Sequence, residues 1–437
     1  MKPLSLYIHW PFCAAKCPFC DFNSRATPKG LEEAEWLAAY LRELSYYAEL
    51  LPEREIRTIY FGGGTPSLLS PSFVEALLQH VAGLWSMACD GEITLEANPA
   101  SSDTAKFQGF KSAGVNRLSL GVQALNDADL RFLGRLHDVH AARQALESAA
   151  KTFDRFSFDL IYARKGQTVA AWTKELQQAL SFGAQHLSLY QLTIEEGTVF
   201  HKRAAKQEVL TAGDDEAAAL YELTGEMMAA TGLPAYEISN YAAAGQESRH
   251  NLTYWHYEDY IGIGAGAHGR FVLPDGRRMA TANHRTPAVW LGQVTAQQNG
   301  SKRLTSPLSS SRGAQRRGDP VPKLQAGGLD CFVGQGLLAM TGAGSSSTGW
   351  CETLEKLDQE TAMREALMMG LRLTQGIDVG AWEAKFGAGS LGAFIGQEKA
   401  GWLRAEGLLA TDNQVSSLRL TREGLQRLNA VLAYLVA

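Results

Sequence analysis

The 437-residue sequence has no apolar run long enough to cross a membrane and no large excess of charge of either sign. A membrane-spanning helix needs about 20 predominantly apolar residues, and no segment approaches that length. The apolar run near the N-terminus is also too short for a signal peptide. The formal net charge of −5 argues against a broad nucleic-acid-binding surface, which would be basic. These features predict a cytoplasmic protein that has no nucleic-acid partner.

Cysteine is scarce, and its distribution along the chain is uneven. Three of the six cysteines lie within eight residues and the other three are isolated: Cys13, Cys17, Cys20, Cys89, Cys331 and Cys351. A disulfide framework would spread its pairs more evenly, and cytoplasmic thiols stay reduced. Clustered thiols in a reducing compartment indicate a metal site instead.

Six strand-like segments alternate with helical patterns in the first half of the chain. The strands are predicted at Leu4–His9, Ile56–Phe61, Gly91–Ala97, Arg117–Val122, Phe156–Tyr162 and His186–Leu192, and the helices at Leu31–Leu50, Pro71–Trp85, Asp138–Lys151 and Thr168–Phe182. The strands read as apolar on both faces or nearly so, which is typical of parallel strands covered by helices. Six such units predict an α/β fold, either a doubly wound sheet or a full or partial barrel.

Five of the predicted strands contain, or are followed closely by, a residue suited to ligand binding. These are Cys13 after the first strand, the Gly62–Thr65 turn after the second, Glu96 in the third, Gln123 after the fourth and Asp159 in the fifth. In barrel-type folds the functional groups lie at the C-terminal ends of the strands. We therefore expect one site at this end of the sheet.

The second half of the chain is less regular. We predict a helix at Asp214–Ala230, a strand at Tyr236–Tyr241, a loop at Arg249–His256 and a glycine-rich turn around Gly262–Gly269. The predicted division is a strand–helix core at 1–235, an extension at 236–300, an insertion at 301–348 and a small C-terminal domain at 349–437. The insertion has no periodicity and is too long for an ordinary loop, so it is predicted to be disordered or to come from a shifted reading frame.

The segment from Cys13 to Cys20, C-x3-C-x2-C, carries the strongest chemical signal. Three thiolates at this spacing can surround one face of a [4Fe–4S] cubane. Such clusters usually take four cysteines, so three would leave one iron open. A structural zinc site with His9 as the fourth ligand, or three free thiols, are the alternatives. Zinc sites usually contain a second pair of ligands, and no second C-x2-C occurs here.

This motif after a first strand resembles the radical S-adenosylmethionine (SAM) superfamily. The run Tyr60-Phe-Gly-Gly-Gly-Thr-Pro-Ser67 resembles the glycine motif of that family and would expose backbone groups at a strand end, and Leu95–Pro99, Gly121–Gln123 and Leu133–His137 complete the match. The resemblance implies a partial (β/α)6 TIM-type barrel, with a small C-terminal α+β domain of winged-helix type. It also implies a [4Fe–4S] cluster on the three cysteines and SAM bound to the open iron. The SAM contacts that it implies are Tyr7, Gly63, Gly64, Thr65, Glu96, Gln123, Arg135 and Asp159.

Within the superfamily, residues 1–300 and 349–437 resemble the group of oxygen-independent coproporphyrinogen III oxidases and related haem chaperones. The oxidases have x-Cys after the third cysteine, whereas Cys20 is followed here by Asp21-Phe22. The segment from His250 to Trp255 matches the H-N-x-x-Y-W motif of the chaperones, and histidine is a common axial ligand of haem. The resemblance therefore implies a haem chaperone with His250 as a haem ligand. There are two alternatives: an enzyme that decarboxylates coproporphyrinogen III by radical chemistry, and a radical enzyme that acts on another substrate.

The same resemblance implies the partners. They are haem, an unidentified acceptor protein and an electron donor such as a flavodoxin or ferredoxin, with peripheral membrane association through the acceptor. One loop departs from the family: its usual Gly-Leu-Pro-Gly-Gln-Thr is Ala163-Arg-Lys-Gly-Gln-Thr168 here. The loss of the proline removes a constraint on that loop.

Overall fold

The computed structural model describes residues 1–101, 103–296, 346–348, 351–411 and 416–436. Of the predicted insertion at 301–348, only the short strand Ser346–Thr348 lies inside these ranges. Cys331 lies outside them. The predicted domain boundaries stay a prediction.

Six parallel strands form the centre of a twelve-stranded sheet. They are β1 (Lys2–Trp10), β2 (Arg54–Gly63), β3 (Ser86–Ala97), β4 (Arg117–Gln123), β5 (Arg155–Tyr162) and β6 (His186–Gln191). Each pairs with the next in chain order. A doubly wound sheet would reverse this order at a switch point, and a closed barrel would pair β6 with β1. The α/β fold with a partial barrel is therefore confirmed.

The connections between these strands are helical, as predicted. The helices are Glu33–Leu50, Pro71–Leu84, Thr104–Ser112, Asp127–Phe132, Val139–Thr152 and Val169–Leu180, and 3-10 turns occur at Pro66–Leu68 and Pro99–Ser101. Several begin at a polar cap: the Ser70 and Asp138 side chains each accept a hydrogen bond from a backbone N–H three residues later. Such caps satisfy N–H groups that the first turn leaves free.

The interior of the partial barrel is polar, which corrects the expectation of strands that are apolar on both faces. Along β4, Leu118, Leu120 and Val122 pack into the core beneath the helices. The alternate residues, from Arg117 to Gln123, line a central cavity. Successive side chains of a strand point to opposite faces, so the strands separate a hydrophobic outer layer from a polar interior.

Further strands extend the sheet at both edges. They are β7 (Asn240–Ala242), β8 (Tyr260–Ile263), β9 (His268–Val272), β10 (Arg278–Asn283), β11 (Ser346–Thr348) and β12 (Cys351–Lys356). β8 lies parallel to the other side of β1, β7 lies antiparallel to β6, and β9, β10, β12 and β11 continue antiparallel from β8. The glycine-rich segment thus forms β8, a turn and the start of β9.

The segment predicted as a loop at Arg249–His256 is a helix, Arg249–Trp255, which we call the floor helix. The Ser248 hydroxyl accepts a hydrogen bond from the Asn251 N–H at its start. The buried carboxylate of Glu92, on β3, accepts from the N–H groups of Arg249 and His250 at 3.3 and 3.2 Å. Negative charge at a helix N-terminus is favourable, and a carboxylate supplied from elsewhere in the fold is invisible to local sequence reasoning.

The remaining helices complete the fold. Those before the undescribed segment are Val199–Ala204, Asp214–Ala230 and Pro287–Ala296, and those after it are Gln359–Gly370, Val379–Phe386, Ser390–Ile395, Gln397–Ala405, Arg422–Gln426 and Leu428–Val436. Ile377–Asp378 pairs with Ser417–Leu418 in a small second sheet. None of the helices within the described ranges combines the length and apolar character that crossing a bilayer requires.

A buried ion pair joins the C-terminal helices to the sheet. Arg270 on β9 lies 2.9 Å from Glu365, and their side chains are 3% and 12% exposed. The Tyr257 hydroxyl also donates to Glu365 at 2.7 Å. We expect Glu365→Ala to lower the free energy of unfolding by about 3–5 kcal/mol, because Arg270 would stay buried without its counter-charge. Urea unfolding of the full chain measures this.

Glu360, on the same helix, provides the matched control. Its side chain is 74% exposed and pairs with Arg364 at i+4, so Glu360→Ala should cost about 0.5 kcal/mol or less. Equal losses in the two variants would show that the Arg270–Glu365 pair adds no more than a surface pair.

Candidate functional site

The three clustered cysteines lie at the C-terminal end of the parallel strands, which we call the rim. Cys13 ends a two-residue strand that pairs with Arg25–Ala26, and the loop between holds Cys17 and Cys20. All three line the central cavity. Burial raises the pKa of the Cys13 thiol and raises the pKa of Cys20 to about 11. Metal binding at these thiols would therefore release protons.

The cysteine loop is fixed from two sides. Arg135 donates from Nη1 to Cys17 Sγ (3.2 Å) and from Nη2 to the carbonyl of Gly121 on β4 (2.8 Å). Asn23, three residues after Cys20, donates from Nδ2 to the carbonyls of Ala265 and Arg285, each at 2.9 Å. Residues distant in sequence thus hold the loop in place.

The glycine motif allows close packing rather than offering N–H groups to a ligand. Gly63 has φ +108°, and a Cβ there would lie 2.5 Å from the His9 ring; a Cβ on Gly64 would lie 2.5 Å from the Phe12 carbonyl oxygen. The N–H groups of Gly63, Gly64 and Thr65 donate to Glu96 Oε2 and to the carbonyls of Trp10 and Phe12. The run therefore anchors β2 to the start of the cysteine loop.

Two buried carboxyl groups face the cavity near the rim. Glu96 accepts hydrogen bonds from the Tyr60 hydroxyl at 2.8 Å and from the Gly63 N–H at 3.1 Å. Burial raises the pKa of Glu96 to about 7, against the effect of these donors. Burial likewise raises the pKa of Asp159 to about 6, opposed by a hydrogen bond from Ser188. Such groups can accept hydrogen bonds from a bound ligand and can complement its positive charge.

Gln123 and Arg135 carry polar atoms suited to a bound polar molecule. Gln123 has φ +75°, in the left-handed region that non-glycine residues seldom adopt and that is enriched at functional sites. Gln123 Oε1 and Arg135 Nε are buried and have no protein partner in the described residues. Both side chains line the cavity. The unpaired polar atoms therefore fit a polar ligand such as SAM, and this observation does not depend on the sequence motifs.

His250, the predicted haem ligand, lies at the opposite end of the cavity, which we call the floor. The residue is 1% exposed. Its Nδ1 lies 2.7 Å from Thr58 Oγ1, and its Nε2 lies 2.8 Å from the Tyr254 hydroxyl. The ring stacks on Tyr60 at 5.1 Å between centroids. Burial lowers the pKa of His250 to about 3, so the imidazole is neutral. Iron binding would have to replace one of these hydrogen bonds.

One cavity contains every residue that the sequence singled out for the cluster, SAM or haem. It is lined by Tyr7, Cys13, Cys17, Cys20, Gly63, Gly64, Thr65, Glu96, Gln123, Arg135, Asp159 and His250. In the described residues, no three His, Cys, Asp or Glu side chains lie close enough together to ligate a single ion. The ligands of a cubane bind different irons, so the fit of the cysteines to a cluster rests on the cavity that they share.

Other cavity residues were missed in the sequence, among them Arg117, His186, Ser188 and Asn240. The signal that could have found most of them is the alternation of polar and apolar residues along β4 and β6. His186 and Ser188 alternate with Leu187 and Leu189, which belong to the hydrophobic core.

Comparison with known proteins agrees with this geometry. The family described as the Radical SAM superfamily matches residues 7–178, and the HemN C-terminal domain matches residues 357–427. The heme chaperone HemW of Escherichia coli (strain K12) is 40% identical over 288 residues, which cover 66% of this chain and 75% of the relative. The mitochondrial radical S-adenosyl methionine domain-containing protein 1 of Bos taurus is 40% identical over 311 residues, 70% of each chain.

A solved structure confirms the fold. That of coproporphyrinogen III oxidase (HemN) from E. coli aligns with a TM-score of 0.74 over 100% of this chain and 90% of the other, at 18% identity. Taken with the family matches and the HemW relatives, the result is that this chain belongs to the radical SAM superfamily, among its HemW-like members.

Proposed function

We propose that the protein is a haem chaperone, which binds haem and passes it to an acceptor protein while carrying a [4Fe–4S] cluster and exchangeable SAM. The observation that carries the proposal is the position of the H-N-x-x-Y-W segment. It closes the floor of the cavity whose rim holds the three cysteines. Relatives 40% and 35% identical to this chain carry the name heme chaperone, which supports the same assignment.

In this proposal Cys13, Cys17 and Cys20 hold the cluster. When bound, the cluster supplies an iron with one open position, where SAM binds, and a source of single electrons. Arg135 steadies Cys17 through its hydrogen bond to the sulfur. The buried carboxyls of Glu96 and Asp159 and the amide of Gln123 orient the polar groups of SAM.

The alternative decarboxylation of coproporphyrinogen III gains no support from the fold. The likeness to HemN has 18% identity, which establishes architecture and not activity. Four features stay predictions: the acceptor protein, the flavodoxin- or ferredoxin-type electron donor, membrane association through the acceptor and the cytoplasmic location.

A haem titration of the anaerobically cluster-reconstituted protein tests the proposal. We expect saturable binding of about one haem per chain, measured by absorbance, followed by transfer to an apo-haemoprotein. The exposed ring pair of Trp402 and Tyr434, with centroids 4.9 Å apart, is where non-specific adsorption would occur, so Trp402→Ala should keep the saturable phase. Absence of saturable binding, together with turnover of coproporphyrinogen III with SAM, would overturn the chaperone assignment.

The pKa of Glu96 predicts how SAM binding depends on pH. The ionised fraction of a group with pKa about 7 rises from about 0.1 at pH 6 to about 0.9 at pH 8. SAM is cationic at its sulfonium, so its affinity should increase about tenfold over this interval. Anaerobic calorimetry of wild type and Glu96→Gln measures this, and the variant should lose the dependence. Asp159→Asn is the comparison variant: it removes a charge that raises the pKa of Glu96, so the rise in affinity should move to lower pH but persist. An unchanged slope in Glu96→Gln would contradict the prediction.

A further inference from the structure

The floor of the cavity contains a buried arginine that forms no salt bridge within the described residues, although its charge lowers the pKa of the Asp159 carboxyl. Arg117, at the start of β4, is 2% exposed, and its Nη2 donates to Ser157 Oγ at 3.0 Å. In the part of the chain that the structure describes, no carboxylate oxygen lies within 4.0 Å of its guanidinium nitrogens. A buried charge is costly unless it is paired.

Three of the other four buried arginines in the described residues form a salt bridge with a carboxylate, and the fourth, Arg372, lies over the Trp255 ring at 5.0 Å. Arg54, Arg164 and Arg270 each lie 2.9 Å from a carboxylate oxygen. Arg155, the neighbour of Arg117 across the β4–β5 pairing, lies 2.8 Å from Glu92. Arg117, which lines the cavity, therefore lacks the close carboxylate partner that Arg54, Arg164 and Arg270 have.

A second floor residue has an unused polar atom. His186 on β6 is 3% exposed, and its Nδ1 is buried and has no partner in the described residues. Its Nε2 lies 2.9 Å from the Tyr236 hydroxyl. When the Tyr236 hydroxyl donates to Nε2, the hydrogen of the neutral imidazole is on Nδ1. His186 thus offers a donor to the cavity that it lines.

We propose that Arg117 and His186 form a binding subsite for the carboxylate of a small organic acid. A guanidinium can donate two parallel hydrogen bonds to a carboxylate, and the Nδ1–H of His186 supplies a third donor. Arg117 precedes Gln123 by six residues on β4, roughly 20 Å along an extended strand, so the subsite lies below Gln123 and nearer to Asp159, the SAM contact on which the Arg117 charge acts. The ligand is small because the surrounding groups, including Ser157 and Asn240, are themselves buried.

Thermal unfolding of the full-length protein with sodium propionate tests this subsite. In chloride-free buffer, propionate should raise the Tm of wild type saturably, by about 1–3 °C. Propionamide, and sodium chloride at the same ionic strength, should not. Arg117→Gln should abolish the increase, while Arg57→Gln should keep it. Arg57 is the matched control because its side chain is 57% exposed and the change in net charge is the same.

The ligand-free comparison separates binding from a structural role. Because Arg117→Gln removes a buried charge that has no salt-bridge partner in the described residues, its Tm without propionate should equal or exceed that of wild type. A lower Tm combined with an undiminished response to propionate would overturn the proposal, as would no response of wild type. If Arg117→Gln fails to fold, NMR of 13C-labelled propionate replaces the thermal measurement, with His186→Gln as the variant. We expect wild type to broaden the propionate signal saturably and His186→Gln to weaken this broadening. Haem titration is a separate measurement, so failure here leaves the chaperone assignment untouched.

Discussion

Replacement of Cys17 by serine should leave the protein without its cluster. Iron and acid-labile sulfide should fall from about four each per chain to near zero after anaerobic reconstitution. Cys17 is half-buried on the cavity wall, and its sulfur accepts from Arg135 at 3.2 Å. With two thiolates left, a cubane would have two irons without protein ligands, and SAM binding should be lost with it.

Cys89→Ser provides the matched control for this experiment. Cys89 lies on β3, is exposed and belongs to no cysteine cluster. Its replacement should leave iron, sulfide and the cluster absorbance unchanged. Full iron loading of Cys17→Ser, or equal loss in both variants, would contradict the assignment of the cluster to the rim.

His250→Ala and Tyr254→Phe should change haem affinity in opposite directions if His250 binds the haem iron. His250→Ala removes the ligand and should weaken binding by tenfold or more. Tyr254→Phe removes the hydroxyl that now holds Nε2 at 2.8 Å. A hydrogen bond of this kind is worth about 0.5–1.5 kcal/mol net, so its loss should tighten binding about two- to tenfold. Haem titrations of the two variants against wild type measure this.

Stability measurements accompany these titrations. His250→Ala leaves a cavity beside Tyr60 and unpairs the hydroxyls of Thr58 and Tyr254, so we expect it to lower the free energy of unfolding by about 2–4 kcal/mol. Tyr254→Phe should cost about 1 kcal/mol. If both variants bind haem as wild type does, the haem lies elsewhere and His250 only closes the floor of the cavity.

Local patterns predicted the elements that carry their own signals. The helix Asp214–Ala230 has the predicted bounds, and the six central strands differ from prediction by a few residues at their ends. The floor helix was missed because its seven residues depend on the Glu92 carboxylate, more than 150 residues earlier. The polar interior is hard to predict because β1 has mostly apolar residues, whereas β4 alternates polar and apolar residues.

The site was predictable where its residues form compact motifs. The cysteines and the glycine run are contiguous, so the sequence identified them as site residues. Arg117 and His186 lie on separate strands with no motif of their own, and their chemistry follows from what fails to pair with them in three dimensions. The glycine run was predicted to expose backbone groups to a ligand, but the fold uses its N–H groups as donors to its own carbonyls and to Glu96.

The pairing of β1 with β8 bears on the order of events during synthesis. β1 gains β2 as a neighbour within about 50 residues, but its other neighbour begins at Tyr260. At about 5–20 residues per second, that second strand emerges from the ribosome tens of seconds later. The carbonyl of Ala265, which holds Asn23, arrives in the same interval. The nascent cysteine loop therefore lacks this anchor while most of the barrel is made, and the Cys13 thiol, which is buried in the finished fold, is accessible during that interval.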